Sequence, residues 1–309
     1  MWSVGINTPP YRRITRDGEM TTTSEPQILE LDTNVYLRLH DGLTNSGFII
    51  GDDGVLVIDS LRVPSFAVDL VQDIRRVTSK PIKYVINTHS HWDHSWGNEN
   101  FSKSIIIGHT NCYTEMIDVE WNQQWMDKIT TSGDPWAQEA SFVKITPPNL
   151  TFDNSMRLFF GGREISLRYF GKAHTSGDIF IYLPNEKIVF TGDVIQNEGV
   201  PFLGDGYPNE WPLTDDRILE LPVNLFASGH GPVGNAQDLR NARDFIHMLV
   251  DTMRIHIKTG DPREIAVEQT ISTLKPRFGH WRSFDAKNEK FIDGLTTVYE
   301  KLTPNKVER

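Results

Sequence analysis

Short apolar runs separated by turn formers dominate the first third of the chain. QILEL, VYLRLH, SGFIIG and GVLVIDS are rich in β-branched and aromatic residues, with Asp, Gly and Asn between them. That pattern predicts a succession of β-strands. VPSFAVDLVQDIRRVTSKP changes period: Phe66, Leu70, Ile74 and Val77 fall at helical spacing, Pro64 suits a first turn and Pro81 lies beyond the end. IKYVINTH then reads as a buried strand. Residues 1–25 show no clear period and read as an arm.

Residues 110–140 place Tyr113, Ile117, Trp121, Trp125 and Ile129 four apart. The plain expectation is an amphipathic helix burying one face; a lid or pocket wall is the other. Five tryptophans between Trp92 and Trp136 favour an aromatic wall somewhat. NLTF, MRLFFGG, REISLRYFG, DIFIYLP, KIVFTGD and VNLFASGH resume the strand pattern, and helical periods dominate from Asn235 onward. The halves rhyme. GVLVIDS, a helix and YVINTH match KIVFTGD, a connection and LFASGH, each pair offering one strand that ends at Asp and one that ends at His. Two β-rich layers meeting along one edge are expected.

Composition narrows the partners. With 31 Lys+Arg against 41 Asp+Glu the formal charge is −10, the opposite of what a phosphate-binding surface needs. Nucleic acid is therefore not expected. No apolar run approaches the roughly 18–20 residues that span a bilayer, so no membrane partner is expected either. The polar start lacks the apolar centre of a secretory signal, which points to the cytoplasm. Cys112 is the only cysteine; it forms no disulfide within the chain and reads as a small buried residue.

Residues 89–94 read HSHWDH. Imidazole and carboxylate are ordinary ligands for zinc, and for non-haem iron or manganese. His89 and His91 suit one ion, whereas Asp93 and His94 suit a second a few ångströms away. Neither set is complete, and the missing ligands appear downstream in strand-end loops: His174 in GKAHTSGD, Asp193 in FTGD and His230 in SGHG. Five of the ten histidines occupy such loops; His40, His109, His247, His256 and His280 do not.

HSHWDH followed by a later His, Asp and His resembles the metallo-β-lactamase superfamily, whose signature is H-x-H-x-D-H. The resemblance covers roughly residues 28–235. It implies an αββα sandwich, two mixed sheets flanked by helices, with a dinuclear metal site at one edge. The organisation expected is an arm (1–25), a catalytic domain (26–235) and a helical C-terminal extension (236–309) packed on it. By resemblance, His89, His91 and His174 hold one metal, Asp93, His94 and His230 hold the other, and Asp193 bridges them. Asp59, ending GVLVIDS, matches a position that orients the ligand loop from behind. In the best-known zinc β-lactamases a cysteine stands near the position of Asp193. The aspartate here resembles glyoxalase II-like, lactonase-like and phosphodiesterase-like members, and makes iron or manganese plausible beside zinc.

The chemistry implied is hydrolysis. Two divalent ions sharing a water lower its pKa from about 15.7 towards roughly 7, and the resulting metal-bound hydroxide attacks a carbonyl or phosphoryl centre. Asp93 orients that hydroxide or carries its proton. Trp92 is expected near the metals, with Phe202, Tyr207 and Trp211 as an opposite wall. The expected substrate is a partly apolar small molecule: an ester, lactone, lactam or thioester. No clear basic pair serves a glutathione carboxylate, and the acidic charge suits RNase Z-like activity poorly. GHGPVG (229–234) matches G-x-G-x-x-G, but the segment after it is helical, so its glycines read as a tight turn around His230 rather than a dinucleotide site. The principal rival is an oxidoreductase resembling persulfide dioxygenases, with a single iron held by two histidines and an aspartate. The helical extension either caps the sandwich or builds a homodimer contact.

Overall fold

The computed structural model describes residues 12–14 and 25–304. The first sheet has eight strands in chain order: β1 (Arg12–Ile14), β2 (Gln27–Asp32), β3 (Val35–Leu39), β4 (Ser46–Ile50), β5 (Val55–Ile58), β6 (Ile82–Ile86), β7 (Ile105–His109) and β8 (Leu150–Phe152). It is antiparallel from β1 to β5 and parallel from β5 to β8. The second sheet comprises β9 (Ser155–Phe160), β10 (Arg163–Arg168), β11 (Phe180–Leu183), β12 (Ile188–Gly192), β13 (Leu225–Ser228) and β14 (Gly234–Asn235). Its strands β12 and β13 are parallel and its other pairs antiparallel. The stretch expected to be an arm contributes Arg12–Ile14 as an edge strand on Ile28–Glu30; the rest of residues 1–24 lies outside the described residues.

Alternation along the strands builds three apolar layers. In β5, Leu56 and Ile58 face the second sheet, meeting Ile165, Ile181 and Phe190, while Val55 and Val57 face the opposite way onto Leu70 and Ile74. Those two belong to α1 (Pro64–Val77), which begins at Pro64 as its period requires. On the far side, Phe180, Val189 and Phe226 of the second sheet pack under Phe245, Leu274 and Leu295. These come from α6 (Ala236–Thr259), α7 (Arg263–Phe278) and α8 (Glu289–Leu302). Each such buried side chain contributes about 1.5–3 kcal/mol over its exposed state. The C-terminal helices thus share one core with the second sheet. α6 opens with a capping box between Asn235 and Asp238.

The tryptophan stripe departs from expectation. It is divided between α3 (Thr110–Met116) and α4 (Val119–Thr130), because Asp118 caps the second helix by accepting from the Trp121 amide at 3.0 Å. Tyr113 and Ile117 are exposed, Ile129 is buried, and Trp121 and Trp125 are half-buried. The remaining elements are α2 (Trp92–Ser95), α5 (Trp211–Ile218) and two 3-10 turns, Trp96–Phe101 and Ala137–Phe142. The repeated strand pairs are β5–β6 and β12–β13, both parallel. Loops leaving the carboxyl ends of parallel strands gather at one edge, where open α/β sheets place their sites.

Candidate metal centre

Asp59 follows β5, His89 lies three residues past β6, Asp193 follows β12 and His230 lies two past β13. His174 comes from the β10–β11 loop. HSHWDH bends at His89 and turns into α2 after His91; the His94 and Ser95 amides of α2 donate to the His91 carbonyl at 3.0 and 3.1 Å. That change of conformation splits the motif. His89 stands between the two sides, its ring centroid 4.9 Å from that of His91 and 4.3 Å from that of His94, while Asp93 groups with His94 and His230.

Three overlapping clusters result: His89, His91 and His174; His89, His94 and Asp193; and Asp93, His94 and His230. Within each, the ligand atoms all lie within 4.8 Å of one another. Ligands about 2.0–2.1 Å from one zinc lie at most about twice that apart, so the spacing approaches that of a shared ion. Asp193 faces both sides: its Oδ2 lies 3.8 Å from His174 Nε2 and 3.2 Å from His230 Nε2, and its Oδ1 lies 3.4 Å from His94 Nε2.

Each imidazole is anchored by its outer nitrogen. His89 Nδ1 bonds Thr88 Oγ1 (2.9 Å), His91 Nε2 bonds Asp205 Oδ2 (3.0 Å) and His94 Nδ1 bonds Asp59 Oδ2 (2.8 Å). His174 Nδ1 donates to the Phe202 carbonyl (3.0 Å) and His230 Nδ1 to the Leu43 carbonyl (3.1 Å). Such contacts fix ring and tautomer and turn the inner nitrogens towards one another, His91 Nδ1 lying 2.8 Å from His174 Nε2. Three buried atoms at the centre, His89 Nε2, His94 Nε2 and Asp193 Oδ1, have no hydrogen-bond partner among the described residues. Buried polar atoms are rarely left so; a divalent cation satisfies all three. The donor set therefore fits a metal.

Charge differs across the centre. Burial among neighbouring imidazoles pushes His89 well below its ordinary range and His174 down to about 3. Burial alone would lower His94 and His230 as well, but Asp193 and Asp93 outweigh it, holding His94 well above its ordinary value and His230 at about 9. Burial alone would raise Asp93 and Asp193; His94 and His230 instead hold both well below the usual carboxylate range. Both carboxylates are thus anionic at neutral pH, as ligation requires.

The expected wall residues disperse. Phe202 is 39% exposed, with its ring 5.9 Å from His91. Trp211 is a correction: at 2% exposure it is a core residue whose ring lies 5.9 Å from His174. Tyr207 lines a cleft of about 910 Å³ with Asp205, Glu300 and Lys301, and its amide donates to the Ala173 carbonyl. Trp92 packs against Trp96 and the Arg62 guanidinium, two steps from Asp93 through Thr44: Arg62 donates to Thr44 Oγ1 at 2.9 Å, and that hydroxyl donates to Asp93 Oδ2 at 2.7 Å. The aromatic wall beside His91 is made by Phe202 with Trp121 and Trp125, from the stripe for which a pocket wall was the alternative, at 5.9, 6.2 and 5.7 Å between centroids, with the Lys128 ammonium over Trp125. Asp205, Thr44 and Arg62 escape sequence reasoning, since nothing local marks a residue that meets the site only through folding.

Gly229 and Gly231 flank His230 because a Cβ at the first would overlap Asp193 and His94, and one at the second would overlap Arg282. The G-x-G spacing is steric, not a phosphate cradle.

The family model for the metallo-beta-lactamase superfamily matches residues 40–252, ending inside α6 and leaving α7 and α8 beyond it. Over 236 residues the chain is 27% identical to the metallo-beta-lactamase type 2 of Elizabethkingia meningoseptica, covering 72% of this chain and 86% of that one. The corresponding Bacillus cereus protein is 23% identical, covering 72% and 84%. A metallo-beta-lactamase structure from Pontibacter korlensis superposes with a TM-score of 0.55 at 17% identity, covering 77% of this chain and 99% of that one. Two mixed sheets between helices share the fold of that structure, and the family model spans more than half of the sequence: the chain belongs to the metallo-beta-lactamase superfamily.

Proposed function

We propose that this chain is a dinuclear metal-dependent hydrolase of small, partly apolar esters, lactones, lactams or thioesters. One observation carries the reading: five imidazoles are each tethered by the outer nitrogen, so that the inner nitrogens gather with Asp93 and Asp193 into three overlapping clusters. His89, His91 and His174 would hold one ion, Asp93, His94 and His230 the other, with Asp193 between them. When bound, such ions supply the Lewis acidity that brings a water's pKa towards about 7 and polarises the scissile bond. Zinc suits the imidazole-rich set; the bridging carboxylate also admits iron or manganese.

The remaining work falls to the chain's own groups. Asp93 Oδ2 accepts from Thr44, whose oxygen is itself held by Arg62, so the carboxylate is aimed, while His94 and His230 keep it anionic against burial. It is suited to orient the attacking water and to pass its proton to the leaving group. Trp121, Trp125 and Phe202 offer flat apolar surface beside His91 for the substrate's apolar part. The relatives named as β-lactamases make lactams one class to assay. The only cysteine, Cys112, lies buried on α3 beside Met116 and belongs to none of the clusters, so a thiolate ligand is absent from this reading.

The test is metal content by elemental mass spectrometry on protein purified without chelator or added metal, followed by a lactam, lactone, thioester and phosphodiester panel. Two ions per chain and turnover in that panel are expected. A single iron with oxygen consumption on a persulfide would replace this reading with the dioxygenase one. The filled Asp93–His94–His230 cluster speaks against that outcome.

A further inference from the structure

Two side chains from beyond the family domain reach back to the metal centre. Lys301, in the last turn of α8, donates from Nζ to the carbonyls of Gly204 and Gly206, each at 2.8 Å. Asp205 stands between those two carbonyls, and its Oδ2 lies 3.0 Å from His91 Nε2. Arg282, in the α7–α8 connection, donates from Nη2 to the Asn197 carbonyl at 2.8 Å and comes within 3.5 Å of the His230 carbonyl. Its own backbone pairs with the same loop: the Arg282 amide donates to Glu198 at 2.9 Å and the Val200 amide to Arg282 at 3.0 Å.

The loop being held runs from the end of β12 to the start of α5 without regular strand or helix. A connection of that length has few ladder bonds of its own to fix it. Yet it must present Asp205 to His91 within hydrogen-bonding distance. An ammonium clamped on both flanking carbonyls fixes the peptide units on either side of Asp205, and hence the direction of its carboxylate. The contact between ligand and outer partner governs metal affinity by about 10–100-fold.

We propose that the C-terminal helices are a working part of the metal centre. Lys301 is the positioning residue that sets Asp205 against His91, and Arg282 anchors the first part of the same loop at Asn197, Glu198 and Val200. This rests on His91 being a metal ligand.

The test is a double-mutant cycle on the full chain, read as zinc affinity by chelator competition, with unfolding of the metal-free protein followed separately. Lys301→Met and Asp205→Ala are each expected to weaken zinc binding about tenfold. The double variant should be no weaker than Asp205→Ala alone, because both act through one contact. Lys301→Arg should restore most of the affinity. Additive losses, or unchanged affinity in Lys301→Met, overturn the assignment; a purely structural lysine would lower the unfolding temperature without such coupling. Lys301→Gln, which keeps a donor and most of the stem, runs the same cycle if the methionine variant does not fold. A wild-type chain that binds no divalent metal overturns the metal reading itself, whereas a wild-type binder with indifferent variants overturns the positioning role alone.

Discussion

Asp59 Oδ2 lies 2.8 Å from His94 Nδ1, and the same carboxylate takes the amide and hydroxyl of Thr88, both at 2.8 Å. Asp59 also has φ of +61°, left-handed backbone that non-glycine residues seldom adopt. The end of β5 thus turns sharply to tie the His89 loop to α2. Asp59→Asn tolerates that backbone equally well, but its amide NH2 meets the donors of His94 and Thr88. Metal affinity should fall about 10–100-fold with the circular dichroism spectrum preserved. Unchanged affinity would remove Asp59 from the support of His94.

Asp193 faces both halves of the centre, with Oδ2 3.8 Å from His174 Nε2 on one side and Oδ1 3.4 Å from His94 Nε2 on the other. Asp193→Ala should lose metal and turnover together, the latter by more than about 100-fold, beyond the loss of an outer partner. Elemental analysis beside a rate assay decides it; a variant with full metal and full turnover sinks the bridging role.

Specificity should follow the wall that Trp121, Trp125 and Phe202 build beside His91. Trp125→Ala should leave metal content intact and raise KM for aromatic substrates roughly fivefold to tenfold, the loss of about one aromatic contact. Trp211→Ala, by contrast, empties a core position and should cost about 3–5 kcal/mol of stability, read by denaturant unfolding. Equal KM in Trp125→Ala for apolar and polar substrates would place the apolar subsite elsewhere.

Metal uptake should release protons at neutral pH. In the metal-free chain His230 titrates at about 9 and His94 well above its ordinary value, both held up by Asp193 and Asp93 against burial. Ligation needs the neutral rings, so affinity should rise as pH climbs towards about 9. The stability these protonated rings lend the metal-free chain runs the other way: fully present below about 6.5, it is lost as pH passes about 9. Calorimetry in buffers of differing ionisation enthalpy measures the release. No proton release at pH 7 would contradict the charge distribution described here.

What the sequence determined alone was whatever rests on neighbours along the chain. HSHWDH, the strand-end aspartates and histidines, the period of α1 and the glycines around His230 are local patterns, and each marks its own chemistry or geometry. Period alone failed on the tryptophan stripe, where one capping residue, Asp118, divides it between two helices. The tertiary structure decided the contacts between distant residues. Asp205 meets His91 across 114 positions and Lys301 meets Gly204 across 97, and no repeat or spacing encodes either. It also decided which aromatic rings face the centre and which enter the core, because Trp92, Trp121, Trp125 and Trp211 are alike as residues. What separates them is the surface each meets when the two sheets close.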